Sequence, residues 1–169
     1  MSIEAGNRWF ETDPDVPLDL SDRHGAAVVV IDASGRVLLQ QRDDMTPPEG
    51  FGRWAIPGGG VEPGESARMA AIREIAEETA IHLEAASYFG SVHVANHDES
   101  RASGALIIHL FWARSDHAEA DIVVGEGIAF RFWSPAEVPS LPMNPNGRHW
   151  LARFLSSDVF ARLDALVAS

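Results

Sequence analysis

Glu74, Glu77 and Glu78 follow one another at the spacing of one helix face. Residues three and four positions apart in a helix project in the same direction, so this spacing predicts that the three carboxylates lie side by side. Like charges placed in this way destabilise a bare helix by about 0.2–0.5 kcal/mol per pair, and a bound divalent cation would remove the repulsion. Hard oxygen ligands in a chain without cysteine favour Mg²⁺, or else Mn²⁺, over Zn²⁺.

The segment before these glutamates could help to hold an ion or a phosphate. Gly58–Gly60 has no side chains, so its carbonyl and amide groups can approach a ligand closely. We predict a flexible loop there, followed by a helix that begins after the N-cap Ser66 and runs to about Thr79. Glu65 can then pair with Arg73 across the junction of loop and helix. An acidic helix face after a glycine turn is also common without any ligand, so Glu-x-x-Glu-Glu alone leaves both interpretations open.

The helix is expected to present small residues beside the carboxylates and larger apolar residues to the core. The small residues predicted on the carboxylate face, where they leave room for a metal ion and its ligand, are Ala67, Ala70 and Ala71. The core face is predicted broadly opposite and consists of Met69, Ile72, Ile75 and Ala76.

The rest of the chain predicts strands interleaved with helices. Strands are expected at Arg8–Phe10, Ala26–Ile31, Val37–Arg42, Trp54–Ile56, Tyr88–Val94, Ala105–Ala113 and Ala129–Trp133. Further helices are expected after Ser134-Pro135-Ala136-Glu137, which has the form of a capping box with proline at the first helical position, from Asn144-Pro145 through Phe154, and over Val159–Val167. This pattern indicates an α/β fold in which helices cover both faces of a mixed sheet.

Length and composition indicate one globular domain. The chain has 169 residues, of which 46% are hydrophobic and 22% charged. We predict an N-terminal arm at residues 1–24 and a single domain at residues 25–169, and the arm could cross to a second subunit in a homodimer. No apolar run approaches the roughly 18 residues of a membrane span. The segment Met1–Phe10 lacks the pattern of a signal peptide, so we expect a cytoplasmic protein that does not bind a membrane.

The charge of the chain narrows the possible partners. With 25 acidic and 13 basic residues the net charge is −12, which is expected to repel nucleic acid polymers because their binding depends on neutralising phosphates. Solubility explains such a surface, and a second interpretation is that some carboxylates hold cations. The chain contains neither lysine nor cysteine, which excludes a Schiff-base lysine, a cysteine nucleophile and a thiolate metal site.

The segment from Gly58 to Ile81 closely resembles the Nudix box. That motif is a glycine, five residues, a glutamate, seven residues, and then Arg-Glu-aliphatic-x-Glu-Glu-x-Gly-aliphatic. The matching residues are Gly59, Glu65, Arg73, Glu74, Ile75, Glu77, Glu78 and Ile81. Ala80 replaces the last glycine, which commonly adopts a left-handed conformation that costs alanine about 1 kcal/mol. Either the helix ends differently here, or Ala80 tolerates some strain.

The resemblance implies a Nudix-type α/β/α sandwich and Mg²⁺-dependent hydrolysis of a diphosphate linkage in a nucleoside diphosphate derivative. A MutT-like nucleoside triphosphate pyrophosphohydrolase is favoured over a nucleotide-sugar or ADP-ribose pyrophosphatase, and a non-catalytic ligand sensor is the alternative of a different class. By the same resemblance, Glu77 and Glu78 are metal ligands, and Glu74 is a ligand or the base that activates water. The carbonyl of Gly58 is a further ligand, and Arg73 and Glu65 orient the carboxylates.

Residues outside the box are assigned more loosely. Members of the family often use one more carboxylate, for which Glu126, between two glycines, is the first candidate and Glu99 the second. Asn144 resembles an amide with which some MutT-like proteins contact a base, although it could equally cap the following helix. The arginines that could meet phosphates are Arg42, Arg53 and Arg101.

Overall fold

β2 (Arg23–Ile31) is the central strand of a mixed sheet in this computed structural model, which describes residues 7–43, 51–94 and 105–167. Its apolar, largely β-branched run is buried from Gly25 onward because elements cover both of its faces. Beside it, β7 (Leu106–Arg114) runs parallel along the whole length of β2. The other elements are β1 (Arg8–Phe10), β3 (Val37–Gln41), β4 (Trp54–Ala55), β5 (Gly58–Gly60), α1 (Ala67–Thr79), β6 (Ser87–His93), β8 (Ala129–Trp133), α2 (Pro145–Leu155) and α3 (Asp158–Val167).

The strands follow the order β1-β6-β7-β2-β3-β4, with β5 paired to β2 and β8 paired to β3. All these pairs are antiparallel except β2 with β7, so the sheet is mixed, as predicted. β2 and β3 share only the register pair Ile31–Val37, and β5 takes the place beside the first half of β2. The sheet therefore opens between β2 and β3 at the end that carries the glycines.

Two apolar cores lie on opposite faces of the sheet. Alternate residues of β2 divide between them: Val28 and Val30 face α1, whereas Val29 and Ile31 face α2 and α3. The helix layers on both faces confirm the predicted α/β/α sandwich. Among the described residues, no helix is long and apolar enough to cross a membrane.

The helix predicted after Ser134 is absent from the described structure, and that prediction is wrong. The side chain of Glu137 accepts hydrogen bonds from the backbone N–H and the hydroxyl of Ser134, at 3.0 and 2.7 Å. Only a turn and the short 3₁₀ segment Val138–Ser140 follow. Pro139 explains this result, because it has no N–H to continue an α-helical ladder.

The three glycines form a strand rather than the predicted flexible loop. Gly58–Gly60 pairs antiparallel with Gly25–Ala27 of β2. At Gly58, where φ is 151°, a Cβ atom would lie 2.1 Å from the carbonyl oxygen of Ala26, so a side chain cannot be accommodated. From the sequence the three glycines indicate flexibility, whereas in the structure their lack of side chains allows this strand to pair closely with β2.

The prediction for the faces of α1 is wrong for its alanines and for Met69. Its alanines Ala67, Ala70 and Ala71 are buried against the sheet, and Met69 is 58% exposed. Ile75 is buried, as expected, but on the same side of the helix as these alanines. Because short side chains let the helix approach the sheet closely, the face predicted to be open is the one that packs.

Residues 7–24 lie against the rest of the chain. β1 pairs with β6, and the backbone N–H of Leu18 donates to the carbonyl of Glu65 at 3.1 Å. An ion pair of 2.6 Å joins Arg68 of α1 to Asp15. The division into an arm and a domain, and the homodimer, stay predictions.

A buried histidine links β6, β7 and β2. His109 is 1% exposed, and its Nδ1 lies 2.7 Å from the hydroxyl of Ser91 and its Nε2 3.0 Å from Nδ1 of His24. The hydroxyl of Ser91 in turn lies 2.7 Å from that of Tyr88. Burial, and then the charge of His24, lowers the pKa of His109 to about 4. The site disfavours a charged imidazole.

We expect the contribution of His109 to the free energy of unfolding to fall as the pH is lowered from about 6.5 towards 4. The unfolded chain takes up a proton on His109 near its ordinary pKa of about 6.5, whereas the folded chain keeps the ring neutral. This contribution is fully present above that range, and at most about 3 kcal/mol is lost below it. Urea titrations at several pH values measure the slope. His109→Gln should remove this contribution from the slope, whereas His82→Gln, at an exposed position, should leave the slope as it is in the parent. Equal slopes for His109→Gln and the parent would contradict this assignment.

Candidate active site

α1, the helix that carries most of the box residues and is called here the box helix, begins and ends as its sequence predicts. The hydroxyl of Ser66 accepts a hydrogen bond from the N–H of Met69 at 3.2 Å, which is an N-cap contact. At the other end Ala80 is left-handed, with φ 60° and ψ 11°, and its N–H donates to the carbonyl of Ala76 at 2.9 Å. The helix therefore ends as the family glycine would end it, and Ala80 tolerates the strain.

Arg73 contacts Glu74 and Glu77, which form the acidic face of α1, and also Glu65 in the loop before the helix. Its guanidinium pairs with both carboxylate oxygens of Glu65, at 2.7 and 2.9 Å, which confirms the predicted pair. It also donates to Glu74 at 2.7 Å, to Glu77 at 3.1 Å and to the carbonyl of Gly60 at 2.8 Å. These contacts raise the pKa of Arg73 above its usual range, chiefly through Glu65. A permanent positive charge thus fixes glutamates from the loop and the helix.

Glu78 is a buried carboxylate, 3% exposed, on the side of α1 that faces the sheet. Oε2 accepts a hydrogen bond from the N–H of Gly58 at 3.1 Å, and Oε1 accepts one from Nε2 of Gln40 at 3.2 Å. Burial, and then the charges of Glu74 and Glu126, raises the pKa of Glu78 to about 8. A positive charge brought close to this carboxylate would reverse that effect.

Glu74 lies beside β5, the strand formed by Gly58–Gly60 and called here the glycine strand. A Cβ atom on Gly59 would come within 2.4 Å of the Glu74 carboxylate, so only glycine permits this approach. Burial raises the pKa of Glu74, and the contacts with Arg73 oppose that effect in part. Close packing against bare backbone explains why the motif has glycine at this position.

Residues 123–128, here called the Glu126 segment, are hydrogen-bonded to the end of α1. The N–H groups of Val123 and Gly125 donate to the carbonyls of Thr79 and Glu78, at 3.1 and 2.8 Å. A Cβ atom on Gly125 would lie 2.2 Å from the carbonyl oxygen of Glu77, so this glycine is also sterically required. The structure thus brings Glu126, a residue far away in sequence, to the box helix.

These elements enclose an acidic cavity of about 350 Å³. Its walls are Gln40, Arg42, Asp43, Gly58, Gly59, Gly60, Glu74, Glu78 and Glu126. Glu77 is not part of the wall, since its largely exposed carboxylate turns towards Arg73. Of the predicted metal ligands, four therefore meet at one cavity and the fifth lies beside it.

The donor set of this cavity fits a hard divalent cation. Carboxylate and backbone carbonyl oxygens are the ligands that Mg²⁺ prefers, and none of the described residues that line the cavity is a cysteine or a histidine. Within the described part of the chain, no three acidic or histidine side chains are already arranged as a metal-binding group. Repulsion between carboxylates and their pairing with Arg73 account for this separation.

A larger groove of about 1030 Å³ opens on the other side of the glycine strand. Arg42 and Gly58–Gly60 border both cavities, and the groove wall includes Arg53, Asn144 and Trp150. Asn144 caps α2, because its Oδ1 accepts a hydrogen bond from the N–H of Asn146 at 3.0 Å. Arg53 donates to the carbonyl of Met143 at 3.1 Å. Arg101 and Glu99 lie outside the described residues.

Sequence reasoning missed Gln40 and Asp43 as parts of the acidic cavity. The sequence contained a signal for Gln40, because this glutamine follows three apolar residues in a predicted strand. In the structure its side chain is only 4% exposed. A buried amide needs hydrogen-bond partners, and a site with several carboxylates supplies them. Asp43 had no comparable signal in the sequence.

Comparisons with known proteins agree with the site. The NUDIX domain family model matches residues 22–154. A Bacillus subtilis (strain 168) protein, whose provisional name is 8-oxo-dGTP diphosphatase, is 32% identical over 130 residues, which are 77% of this chain and 78% of that protein. The RNA pyrophosphohydrolase of Dinoroseobacter shibae is 44% identical over 71 residues, 42% of each chain. The crystal structure of a MutT protein from Bacillus halodurans is 27% identical, covering 80% of this chain and 84% of that one, with a TM-score of 0.62.

The chain therefore belongs to the Nudix family. It is a hydrolase that acts on anhydride bonds in phosphorus-containing compounds, which confirms the family and the enzyme class predicted from the box. Nudix hydrolases generally use divalent metal ions.

We expect Glu77→Gln and Glu78→Gln each to lower kcat by about 100-fold or more, because each removes a carboxylate that would stabilise charge through a metal ion. Circular dichroism should show an intact fold, since Gln keeps the size of Glu. Steady-state kinetics measure the loss. Glu62→Gln, at an exposed loop position that the motif leaves unspecified, is the matched control and should retain nearly full turnover. Equal losses for Glu62→Gln and Glu77→Gln would show that the motif has been misassigned.

Proposed function

We propose that this Nudix hydrolase is a Mg²⁺-dependent nucleoside triphosphate pyrophosphohydrolase. The observation that carries the proposal is the pair of adjoining cavities that share Arg42 and the glycine strand. One is small and acidic, and the other is about three times larger and includes aromatic and amide groups. A ligand with a phosphate chain at one end and a base at the other suits this arrangement.

Glu74, Glu78 and the carbonyl of Gly58, joined by Glu77 and Glu126, would hold the cation. When bound, Mg²⁺ neutralises phosphate charge and lowers the pKa of water. Mn²⁺ has similar preferences for oxygen ligands and is expected to replace it.

The protein groups divide the remaining work. Arg73 and Glu65 keep the carboxylate face in one orientation through their paired hydrogen bonds. Glu74 is proposed as the base that takes the proton of the attacking water, or as a further ligand, because its carboxylate lines the cavity while Arg73 binds Oε1. Arg42 and Arg53 face the groove, where they would meet phosphate oxygens.

The groove supports a nucleoside as the other half of the substrate. Trp54, Ile56 and Trp150 contribute apolar surface on which a base can stack. Asn144 offers its amide nitrogen to the base, since its oxygen is used in the helix cap. The net charge of −12 favours a free nucleotide over a nucleic acid polymer.

Triphosphates are ranked first because the Bacillus subtilis relative, which aligns over most of both chains, carries the name of a nucleoside triphosphate diphosphatase. The Dinoroseobacter shibae relative is named for activity on RNA, but the alignment with it spans fewer than half of the residues of either chain. Nucleotide sugars and ADP-ribose are the second choice, because the groove volume would also admit a second sugar. A sensor without catalytic activity is disfavoured by the complete set of Glu74, Glu77 and Glu78.

We expect turnover of at least one nucleoside triphosphate, with pyrophosphate as a product and a strict requirement for a divalent cation. A panel of canonical and oxidised triphosphates, ADP-ribose, nucleotide sugars and 5′-triphosphorylated RNA, assayed by chromatography of the products, ranks the substrates. Excess chelator should abolish turnover, and Mg²⁺ or Mn²⁺ should restore it. Unchanged turnover in chelator would exclude the metal mechanism. A clear preference for RNA or ADP-ribose would replace the proposed substrate.

We expect Glu126→Gln to depress kcat with little change in thermal stability, because Glu126 lines the acidic cavity from a segment held by its backbone. It should also reduce the thermal stabilisation given by Mg²⁺ with a non-hydrolysable triphosphate analogue, since ligand binding is linked to folding. Kinetics and thermal melts measure both effects. Glu99→Gln, at the alternative position, should be nearly silent. If Glu99→Gln loses turnover and Glu126→Gln keeps it, the assignments are exchanged.

A further inference from the structure

Gln40 is a polar side chain in the buried part of β3. The three residues before it are fully buried and apolar, and Gln40 itself is 4% exposed. Its backbone lies between two partners, since it pairs with Ala55 of β4 and with Phe130 of β8. A buried amide at such a place is retained only where its hydrogen bonds are made.

The amide nitrogen of Gln40 contacts two different elements. It donates to Oε1 of Glu78 on α1 at 3.2 Å and to the backbone carbonyl of Glu126 at 3.2 Å. A primary amide has two N–H groups, so both bonds form at once. One side chain therefore joins two of the carboxylate residues that line the acidic cavity.

The Glu126 segment approaches β3 so closely that no side chain fits between them. Gly127 has φ 85°, and a Cβ atom there would lie 2.8 Å from the carbonyl oxygen of Gln41 and 3.1 Å from Nε2 of Gln40. The N–H of Ile128 donates to the same carbonyl of Gln41 at 2.8 Å. The hydrogen bond from Gln40 is thus one of several contacts that hold the Glu126 segment against β3.

We propose that Gln40 is a positioning residue that sets the orientation of Glu78 and the place of Glu126 together, so that both carboxylates reach one cation. This inference rests on the proposed function, because it gives these two carboxylates a common ligand. Gln40 itself takes no part in bond breaking. Without its amide, Oε1 of Glu78 loses its donor from the sheet, and the Glu126 segment loses a link to β3.

The test replaces Gln40 by Met, which keeps the length of the side chain and removes both donors. The substrate-free protein is titrated with Mn²⁺ and the free ion is followed by electron paramagnetic resonance. We expect Gln40→Met to weaken Mn²⁺ binding by about 10-fold and to lower kcat by about 10–100-fold, with KM nearly unchanged. Gln41→Met is the matched control, because Gln41 lies next in the same strand and bonds the carbonyl of Gly52 instead. It should bind Mn²⁺ like the parent.

A double-mutant cycle separates positioning from general damage. If Gln40 acts through Glu78, then Gln40→Met added to Glu78→Gln should lower kcat and Mn²⁺ affinity by much less than it does in the parent. Full additivity would overturn the inference, as would parental Mn²⁺ binding by Gln40→Met. Should Gln40→Met fail to fold, Gln40→Asn replaces it; its amide is one methylene too short to reach both acceptors, and the same losses are expected.

The outcome also distinguishes this inference from the proposed function. If the parent binds Mn²⁺ and Gln40→Met binds it more weakly, the inference holds even when no nucleotide in the panel is hydrolysed. If the parent hydrolyses triphosphates and Gln40→Met is indistinguishable from it, the inference alone fails. If the substrate-free parent does not bind Mn²⁺, the inference fails, and the proposed function fails with it only if no triphosphate is hydrolysed.

Discussion

The ion-pair network around Arg73 is the interaction on which the geometry of the acidic face depends. One guanidinium holds Glu65 from the loop, Glu74 and Glu77 from α1, and the carbonyl of Gly60 from the glycine strand. Without this charge, three carboxylates would repel one another at the junction of three elements. Because a guanidinium stays protonated at any ordinary pH and donates from a rigid plane, it fixes distances that a lysine could not fix as well.

Close approach of α1 to the sheet is the second requirement. Ala67, Ala70 and Ala71 are short enough to bring the helix down onto β2, and this places Glu78 in the protein interior. The interior position disfavours the charged carboxylate, as the raised pKa of Glu78 shows. A cation bound beside Glu78 would favour the charged carboxylate and so offset this effect of the packing.

Much of this architecture was predictable from local sequence patterns. The box indicated the ends of α1, the pairing of Glu65 with Arg73 and the family. Apolar and β-branched segments indicated every strand of the described residues except β5. The errors at the glycine strand and at the faces of α1 arose where distant parts of the chain decide the outcome. Gly58–Gly60 became a strand because Gly25–Ala27 offered a partner, and the buried face of α1 was set by the sheet beneath it. The tie between Gln40, Glu78 and Glu126 joins three separate parts of the sequence, so no local pattern announces it.

The glycine strand limits how this enzyme can change during evolution. It is a partition made only of main chain, and a Cβ atom at Gly58 or Gly59 would collide with Ala26 or with Glu74. Substitution is therefore restricted at Gly58 and Gly59, whereas a Cβ atom on Gly60 would meet no atom of the described residues, its chain neighbours apart, within 4 Å. New ligand preferences can arise at Gly60 or in the groove around Asn144 and Trp150. The chemistry and the selectivity are therefore exposed to mutation separately: drift in the groove can alter which molecule is accepted while the reacting centre is inherited unchanged.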